Sequence, residues 1–451
     1  MRKENILLFI CLVIFLQTGL FAQISNTASV EIKDLSDVCY AKMTDIAMVD
    51  DTTSILFSEI LENNSYKEIF SLVKEGSTLV RQVVLQDFYE VYDIEIYDRF
   101  LFFSGKKDMS TGFVAWADVN TFFTVGTVNY KVIPETSNIR KVKPYLTNTN
   151  TVNLACLADG TMGEMVLQVE LLTNNYTISQ IIPVQNTETY NDIIVYNDYI
   201  ILAGNYYDGY SELGYAIRKY DKNNIANSLT YNITFIWNTN YENYLSYKPL
   251  LAKTKKEDHL CFATINKYLN STNNNYLLHV YELEENSYSA IIPTLYFHEI
   301  DPQQVAITTL WDFELQPTTL YEKGVDAVLL TYDGTKFSHV FHFDITYTSL
   351  GCDIFSYPQN AFFSSLELYG KGYFVSIGQD DISNKFTLWD RNIYTLSNSC
   401  DIYSNRSINP FLISFITPSF TDGIFYRSAV WERSVSRIYK KDYNIECSYQ
   451  R

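Results

Sequence analysis

Asp192-Ile193-Ile194-Val195-Tyr196, a short turn, Ile200-Ile201-Leu202-Ala203-Gly204, a polar hairpin around Asp208-Gly209, and a further strand closing on Tyr220-Asp221 together read as one complete structural unit. Near-continuous apolar runs of this length, bounded by turn residues, mark strands buried on both faces. The small residues that end the second run let another backbone approach closely before the hairpin.

Working outward, the same unit recurs eight times. Its second strand is repeated at 55–58, 101–105, 154–158, 200–204, 260–263, 328–331, 373–378 and 424–428. Third strands end on an aromatic or aliphatic residue followed by an acid: Trp116-Ala117-Asp118, Val169-Glu170, Tyr220-Asp221, Tyr281-Glu282, Phe343-Asp344 and Trp389-Asp390. Leu72-Val73-Lys74 is a weaker member at the start, and Tyr439-Lys440-Lys441-Asp442 a divergent one at the end. First strands share an Asp-Ile start at Asp45-Ile46, Asp93-Ile94 and Asp192-Ile193, with Leu366-Glu367-Leu368-Tyr369 a degenerate copy. A spacing of roughly fifty residues between small sheets that bury their faces only by stacking is the mark of a β-propeller. The expectation is therefore an all-β propeller of eight blades, with seven as the alternative, formed by a single domain over residues 23–451. Its first strands would line the central channel. The segment Thr27 to Ile32 alternates apolar and polar residues without a hairpin partner. It is expected to close the ring as the outermost strand of a last blade formed from residues 412–442, which would remove an open sheet edge.

The third-strand endings resemble the Trp-Asp dipeptide of WD40-type propellers, most literally at Leu388-Trp389-Asp390. The resemblance implies propeller architecture over almost the whole mature chain. The Gly-His pair that the WD40 family places ahead of each dipeptide is missing, so the resemblance reaches the propeller superfamily and no one family within it.

Residues 1–22 read as a cleaved secretory signal: Arg2 and Lys3, an apolar run from Ile6 to Leu16, and Leu20-Phe21-Ala22 before a cut at Gln23. The run is shorter than the roughly 20 residues that span a bilayer. Ile10 stands before Cys11 where a lipoprotein signal needs a small residue. The Phe21-Ala22-Gln23 junction resembles those of exported proteins of Gram-negative bacteria, which makes the sequons at Asn63, Asn175, Asn232, Asn270 and Asn405 incidental. The mature protein is thus expected to be secreted or periplasmic, with no membrane insertion after signal cleavage. A formal net charge of −18 argues against nucleic acid or anionic lipid as a partner, since both need basic patches.

The chain has seven cysteines, of which Cys11 leaves with the signal. Cys156 and Cys261 fall in apolar second strands as buried thiols. Cys352 with Cys400, and Cys39 with Cys447, are candidate bridges in an oxidising compartment, although spacing does not fix connectivity. No metal or cofactor is implied: His339 and His342 point to opposite faces of a strand, and His342 reads as a strand residue with a satisfied hydrogen bond. Thr331-Tyr332-Asp333-Gly334 is a fragment of an Asp box, read instead as a hairpin tip. Asp50-Asp51 and Asp380-Asp381 are paired carboxylates expected to be solvated turns.

Binding is best suggested by the fourth unit. Asn205, Tyr206, Tyr207, Asp208 and Tyr210 in its hairpin, with Trp237 and Tyr241 in the following connection, combine flat rings for stacking with amide and carboxylate groups for hydrogen bonds. Both segments are expected on one face of the propeller. This pattern favours a binding module for a glycan or extracellular protein. The alternative is a carbohydrate-active hydrolase or lyase with acids at the channel mouth.

Overall fold

A computed structural model describes residues 26–33, 42–62, 65–74, 78–85, 88–161, 163–173, 175–181, 187–208, 211–225, 229–237, 244–246, 249–254, 259–269, 274–283, 288–298, 309–317, 325–332, 338–345, 350–356, 361–369, 373–380, 386–392 and 425–427. These residues are almost entirely β-strand, in consecutive antiparallel sets. The first set is β2 (Lys42–Asp50), β3 (Thr53–Glu62), β4 (Ser65–Lys74) and β5 (Thr78–Leu85). The second is β6 (Glu90–Tyr97), β7 (Phe100–Lys106), β8 (Gly112–Asp118) and β9 (Thr127–Ile133), and the third β10 (Thr136–Leu146), β11 (Val152–Gly160), β12 (Gly163–Glu170) and β13 (Asn175–Gln180). The fourth comprises β14 (Thr187–Tyr196), β15 (Tyr199–Asp208), β16 (Ser211–Asp221) and β17 (Leu229–Trp237). In the fifth, β18 (Tyr244–Ser246) and β19 (Leu250–Lys253) both pair with β20 (Leu260–Leu269), followed by β21 (Asn274–Leu283) and β22 (Tyr288–His298). The sixth holds β23 (Thr309–Pro317), β24 (Val325–Tyr332), β25 (Ser338–Ile345) and β26 (Leu350–Ser356); the seventh holds β27 (Ala361–Tyr369), β28 (Tyr373–Asp380) and β29 (Phe386–Asn392).

The second strands read from the sequence lie in the middle of their sheets, between first and third strands, in each of these seven sets. Their continuous apolar character follows from stacking. In β7, Leu101 and Phe103 join a core shared with the first set, whereas Phe102 joins the core shared with the third. In β11, Leu154, Cys156 and Ala158 face the second set, and Ala155 and Leu157 the fourth. Successive side chains on a strand point to opposite faces, so a sheet with a neighbour on either side needs apolar residues at every position. First strands meet in sequence order, β2 against β6, β6 against β10, β10 against β14, β14 against β19, β19 against β23 and β23 against β27; β27 in turn contacts β2. The architecture is all-β and propeller-like.

One expectation about the chain ends is corrected. Strand β1 (Asn26–Lys33) joins no last blade. Val30 to Lys33 pair with β5, and Asn26 to Ser29 with β9, so this strand straps the outer edges of the first two sets together. Those two edges carry unpaired backbone groups, and one strand satisfies both. The eighth unit, expected from residues 412–442, lies outside the described residues except for β30 (Phe425–Arg427). That segment pairs in parallel with the edge strand β17. Residues 1–22, expected to be a signal, together with Cys39, Cys400 and Cys447, also lie outside the described residues. Cys156 and Cys261 are buried as expected.

One short helix, α1 (Val119–Val125), was not anticipated. Asp118, the acid that closes β8, caps it by accepting from Thr121 N at 3.2 Å, and Gly126 ends it in the left-handed conformation at φ 73°. Among the described residues no helix is long and apolar enough to cross a membrane.

Candidate functional site: the channel wall and its rim

Six first strands carry an irregularity at the same place. The ladder slips between Met43 and Asp45, Val91 and Asp93, Ile139 and Lys141, Tyr190 and Asp192, Leu310 and Asp312, and Phe363 and Ser365. Each slip is a β-bulge, which bends the strand and re-aims the residue that follows it. The six re-aimed residues, Asp45, Asp93, Lys141, Asp192, Asp312 and Ser365, form one polar tier around the axis. Two residues further along each strand, on the same face, a second tier includes Glu95, Lys143, Glu314 and Glu367.

Carboxylates of the first tier hold the sets together. Asp45 accepts from Ile94 N at 3.1 Å, Asp93 from Val142 N at 2.8 Å, Asp192 from Leu251 N at 2.7 Å and Asp312 from Leu366 N at 2.7 Å. In every case the donor belongs to the first strand of the next set. A second series satisfies backbone donors beside the bulges: Glu68 accepts from Val91 N at 3.1 Å, Glu164 from Tyr190 N at 2.8 Å and Ser338 from Phe363 N at 3.0 Å. Buried backbone donors need partners, and here the preceding sheet supplies them. The bulges also explain the glycines of the second strands: a Cβ on Gly105 would strike Glu90 O, and one on Gly204 would strike Thr189 O.

Lys141 breaks the acidic pattern. Its ammonium donates to Asp93 Oδ1 at 2.8 Å, and Lys143 pairs with Glu95. Burial alone would pull both lysines down, yet the surrounding carboxylates, Asp93 foremost for Lys141 and Glu95 for Lys143, hold them above their ordinary values. Asp45 is pushed up to about 7, first by burial and then by the Asp93 charge. Burial also raises Asp192 and Asp312, and Glu367 is raised well above the usual range by burial and by Glu314. Among the described residues no group of three or more His, Cys, Asp or Glu side chains is placed to hold a metal ion.

The bulged end of the channel is also the end where second-to-third-strand hairpins emerge. Its rim between the second and third sets is aromatic and charged. Tyr89 is 55% exposed, Tyr92 donates its hydroxyl to Glu90 at 2.5 Å, and Lys106 lies over the Tyr92 ring at 5.5 Å. Burial and the bond to Glu90 raise the Tyr92 phenol. Arg140 reaches Asp159 at 3.1 Å, pairs with Glu164 and donates to Tyr190 O at 2.7 Å. Trp311, the bulged residue of the sixth set, is 40% exposed.

Those residues proposed from sequence that are described fall at this same end. Tyr206, Tyr207 and Asp208 finish β15, Asp208 pairs with Ser211 across a two-residue hairpin, and the pairing of Gly214 with Ile236 brings Trp237 to the same end of the sheet. Asn205 differs from the expected surface contact: it is 5% exposed, and its Oδ1 has no hydrogen-bond partner. Tyr210 and Tyr241 lie outside the described residues. Asp50 accepts from both the N–H and the hydroxyl of Thr52, the solvated turn that was expected. His342 Nε2 lies 3.0 Å from Asp326 Oδ1, the hydrogen bond expected of this strand residue. Asp333 and Asp381 are not among the described residues.

Sequence reading missed Lys141, Asp312 and Ser365 as members of the channel tier. The signal was present, since Lys141-Val142, Asp312-Phe313 and Ser365-Leu366 keep the polar–apolar start of Asp45-Ile46, but it was sought as Asp-Ile.

Comparison of the sequence with family models and with curated proteins gives no match. Solved structures resemble it at low identity. Drosophila Semaphorin 1b, extracellular domains 1–2, is 9% identical with a TM-score of 0.43, over 79% of this chain and 86% of that one. YCF48 bound to D1 peptide is 10% identical with a TM-score of 0.43, over 82% and 97%. The GH93 α-L-arabinofuranosidase of Fusarium graminearum in complex with arabinobiose is 10% identical with a TM-score of 0.38, over 81% and 97%. Fold and channel together define a propeller-like all-β protein.

Proposed function

We propose that this protein is an exported binding module built as a ring of seven blades, which takes a glycan or an extracellular protein on the face bearing the second-to-third-strand hairpins. Contact of β27 with β2 supports the seven-membered ring. The signal-like residues 1–22 support a secreted or periplasmic location. One observation carries binding over catalysis: Asp45, Asp93, Asp192 and Asp312 each spend a lone pair on the backbone of the next blade. A hydrolase or lyase needs an acid and a base within reach of one substrate and free to exchange protons with it. Carboxylates engaged in holding blades together are poorly suited to that work. The hairpin end, by contrast, offers exposed rings at Tyr89 and Trp311 beside the Tyr-rich hairpin of the fourth blade.

A glycan array with the mature protein, run alongside chromatographic product analysis, tests the reading: retention without turnover is expected, and released product would favour the hydrolase or lyase. Capture of protein ligands alone would select the protein class. Trp237→Ala and Tyr207→Ala should each weaken ligand binding by roughly tenfold or more, the usual cost of truncating a stacking aromatic at a hot spot. Their melting temperatures should stay near wild type. Unchanged affinity in both would move the site off this hairpin.

A further inference from the structure

Ser365 Oγ lies 2.8 Å from Asp45 Oδ1 and 3.0 Å from Asp312 Oδ2. The three side chains come from β27, β2 and β23, and the contact to Asp45 spans 320 positions of sequence. A serine hydroxyl has one proton to donate. With both carboxylates ionised, only one of the two short contacts is a hydrogen bond; the other sets two acceptors against each other. Adding one proton resolves this. A protonated Asp312 donates to Ser365 Oγ, whose hydroxyl then donates to Asp45, and the mirror arrangement, with the proton on Asp45, is equally connected. Both oxygens of each carboxylate are already anchored, by Ile46 N and Ile94 N on Asp45 and by Phe313 N and Leu366 N on Asp312. Neither carboxylate is free to turn away.

We propose that Asp45, Ser365 and Asp312 share one proton and that this proton clasps the first strand set to the sixth and seventh, so that the contact tightens on mild acidification and loosens as the pH rises. The proposal rests on this contact and is independent of any ligand. Facing the triad are Asp93 and Glu95 from β6, Lys141 from β10, Glu314 from β23 and Glu367 from β27. Asp93 adds negative charge next to Asp45, and Lys141 only partly offsets it. The neutral hydroxyl of Ser376, on β28, is turned to Ser365 O at 2.6 Å and leaves the triad's proton count unchanged. Burial raises Asp312 as it does Asp45.

The sign follows from linkage. An Asp held at about 7 in the folded chain, against 3.8 as its ordinary value, binds its proton more tightly when folded. The stability it contributes is complete below the ordinary value and is lost as the pH rises through about 7. Between those limits one such group changes the folding equilibrium constant by up to about tenfold per pH unit.

The test is the thermal midpoint of the full mature chain from pH 5.5 to 8 at fixed ionic strength, with peptide-level hydrogen exchange of segments 42–50 and 361–369 corrected for intrinsic pH dependence. Wild type should lose midpoint as the pH rises toward about 7 and level off above it, and exchange should rise together in the two segments over the same range. Asp45→Asn should flatten both trends, and if that variant does not fold, Asp312→Asn should do so. A flat wild-type profile would overturn the proposal, as would wild-type pH dependence retained in whichever asparagine variant folds.

Discussion

Replacing Asp93 by Ala is expected to lower stability by about 3 kcal/mol, toward the lower end of what breaking a buried ion pair costs. Asp93 is 2% exposed and has two partners from the next strand set, Val142 N and the Lys141 ammonium, both at 2.8 Å. Removing it leaves a backbone donor unsatisfied and a lysine without its main counter-charge. The Lys141 side chain keeps 33% exposure, so water along the channel screens part of that penalty and holds the figure down. Asp93→Asn retains an acceptor for Val142 N but not the charge, and should fall between Ala and wild type. Adding Lys141→Met to Asp93→Ala removes the stranded ammonium and should recover a substantial part of the loss, which a urea titration of the four proteins would measure. An Asp93→Ala variant within about 0.5 kcal/mol of wild type, the usual range for surface changes, would mean that the tier does not bind the sets together.

The sequence revealed the repeated sheet better than it revealed how the sheets are joined. Second strands such as 101–105 and 154–158 were legible because stacking on both sides demands an unbroken apolar run. Bulges were not legible. A bulge adds one residue without changing composition, and only the pairing register distinguishes Tyr92 or Asn191 from an ordinary strand residue. The channel tier was therefore half seen, as Asp-Ile starts whose carboxylates had no known partner. Charge identity is also loosely specified there, because Lys141 or Ser365 at the same register still finds a partner on an adjoining first strand. Strand β1 was misplaced for a different reason. Alternation identifies a strand with one buried face, but it carries no information about which of several open edges the strand will fill. For the hairpin from Asn205 onward, composition indicated the end of the sheet that bears the rim but not the burial of Asn205 itself. That burial follows from Asn205 sitting one residue beyond Gly204, where the bulged first strand presses closest.

Phe70→Ala should cost about 3–5 kcal/mol, the range found for truncating fully buried aromatics. Phe70 is 0% exposed and stands at the meeting point of three elements. Its ring centroid lies 5.1 Å from Phe57 in its own sheet, 5.1 Å from Phe103 in the second set and 5.4 Å from Phe122 in α1, the last at 83° and thus edge to face. Tilted and edge-on rings at these separations add to the area term, and rigid neighbours on three sides give the cavity little scope to collapse. Phe70→Leu keeps most of the volume and should cost less than about 1.5 kcal/mol. Because stacked sheets are coupled mainly to their nearest neighbours, the damage should stay local. Hydrogen exchange should rise in β4, β7 and α1 while β11 and β15 keep their protection. A loss below about 1 kcal/mol would mean that the first two sets are not packed through this ring, and global opening at the same free energy in every sheet would mean that the stack unfolds as one cooperative body.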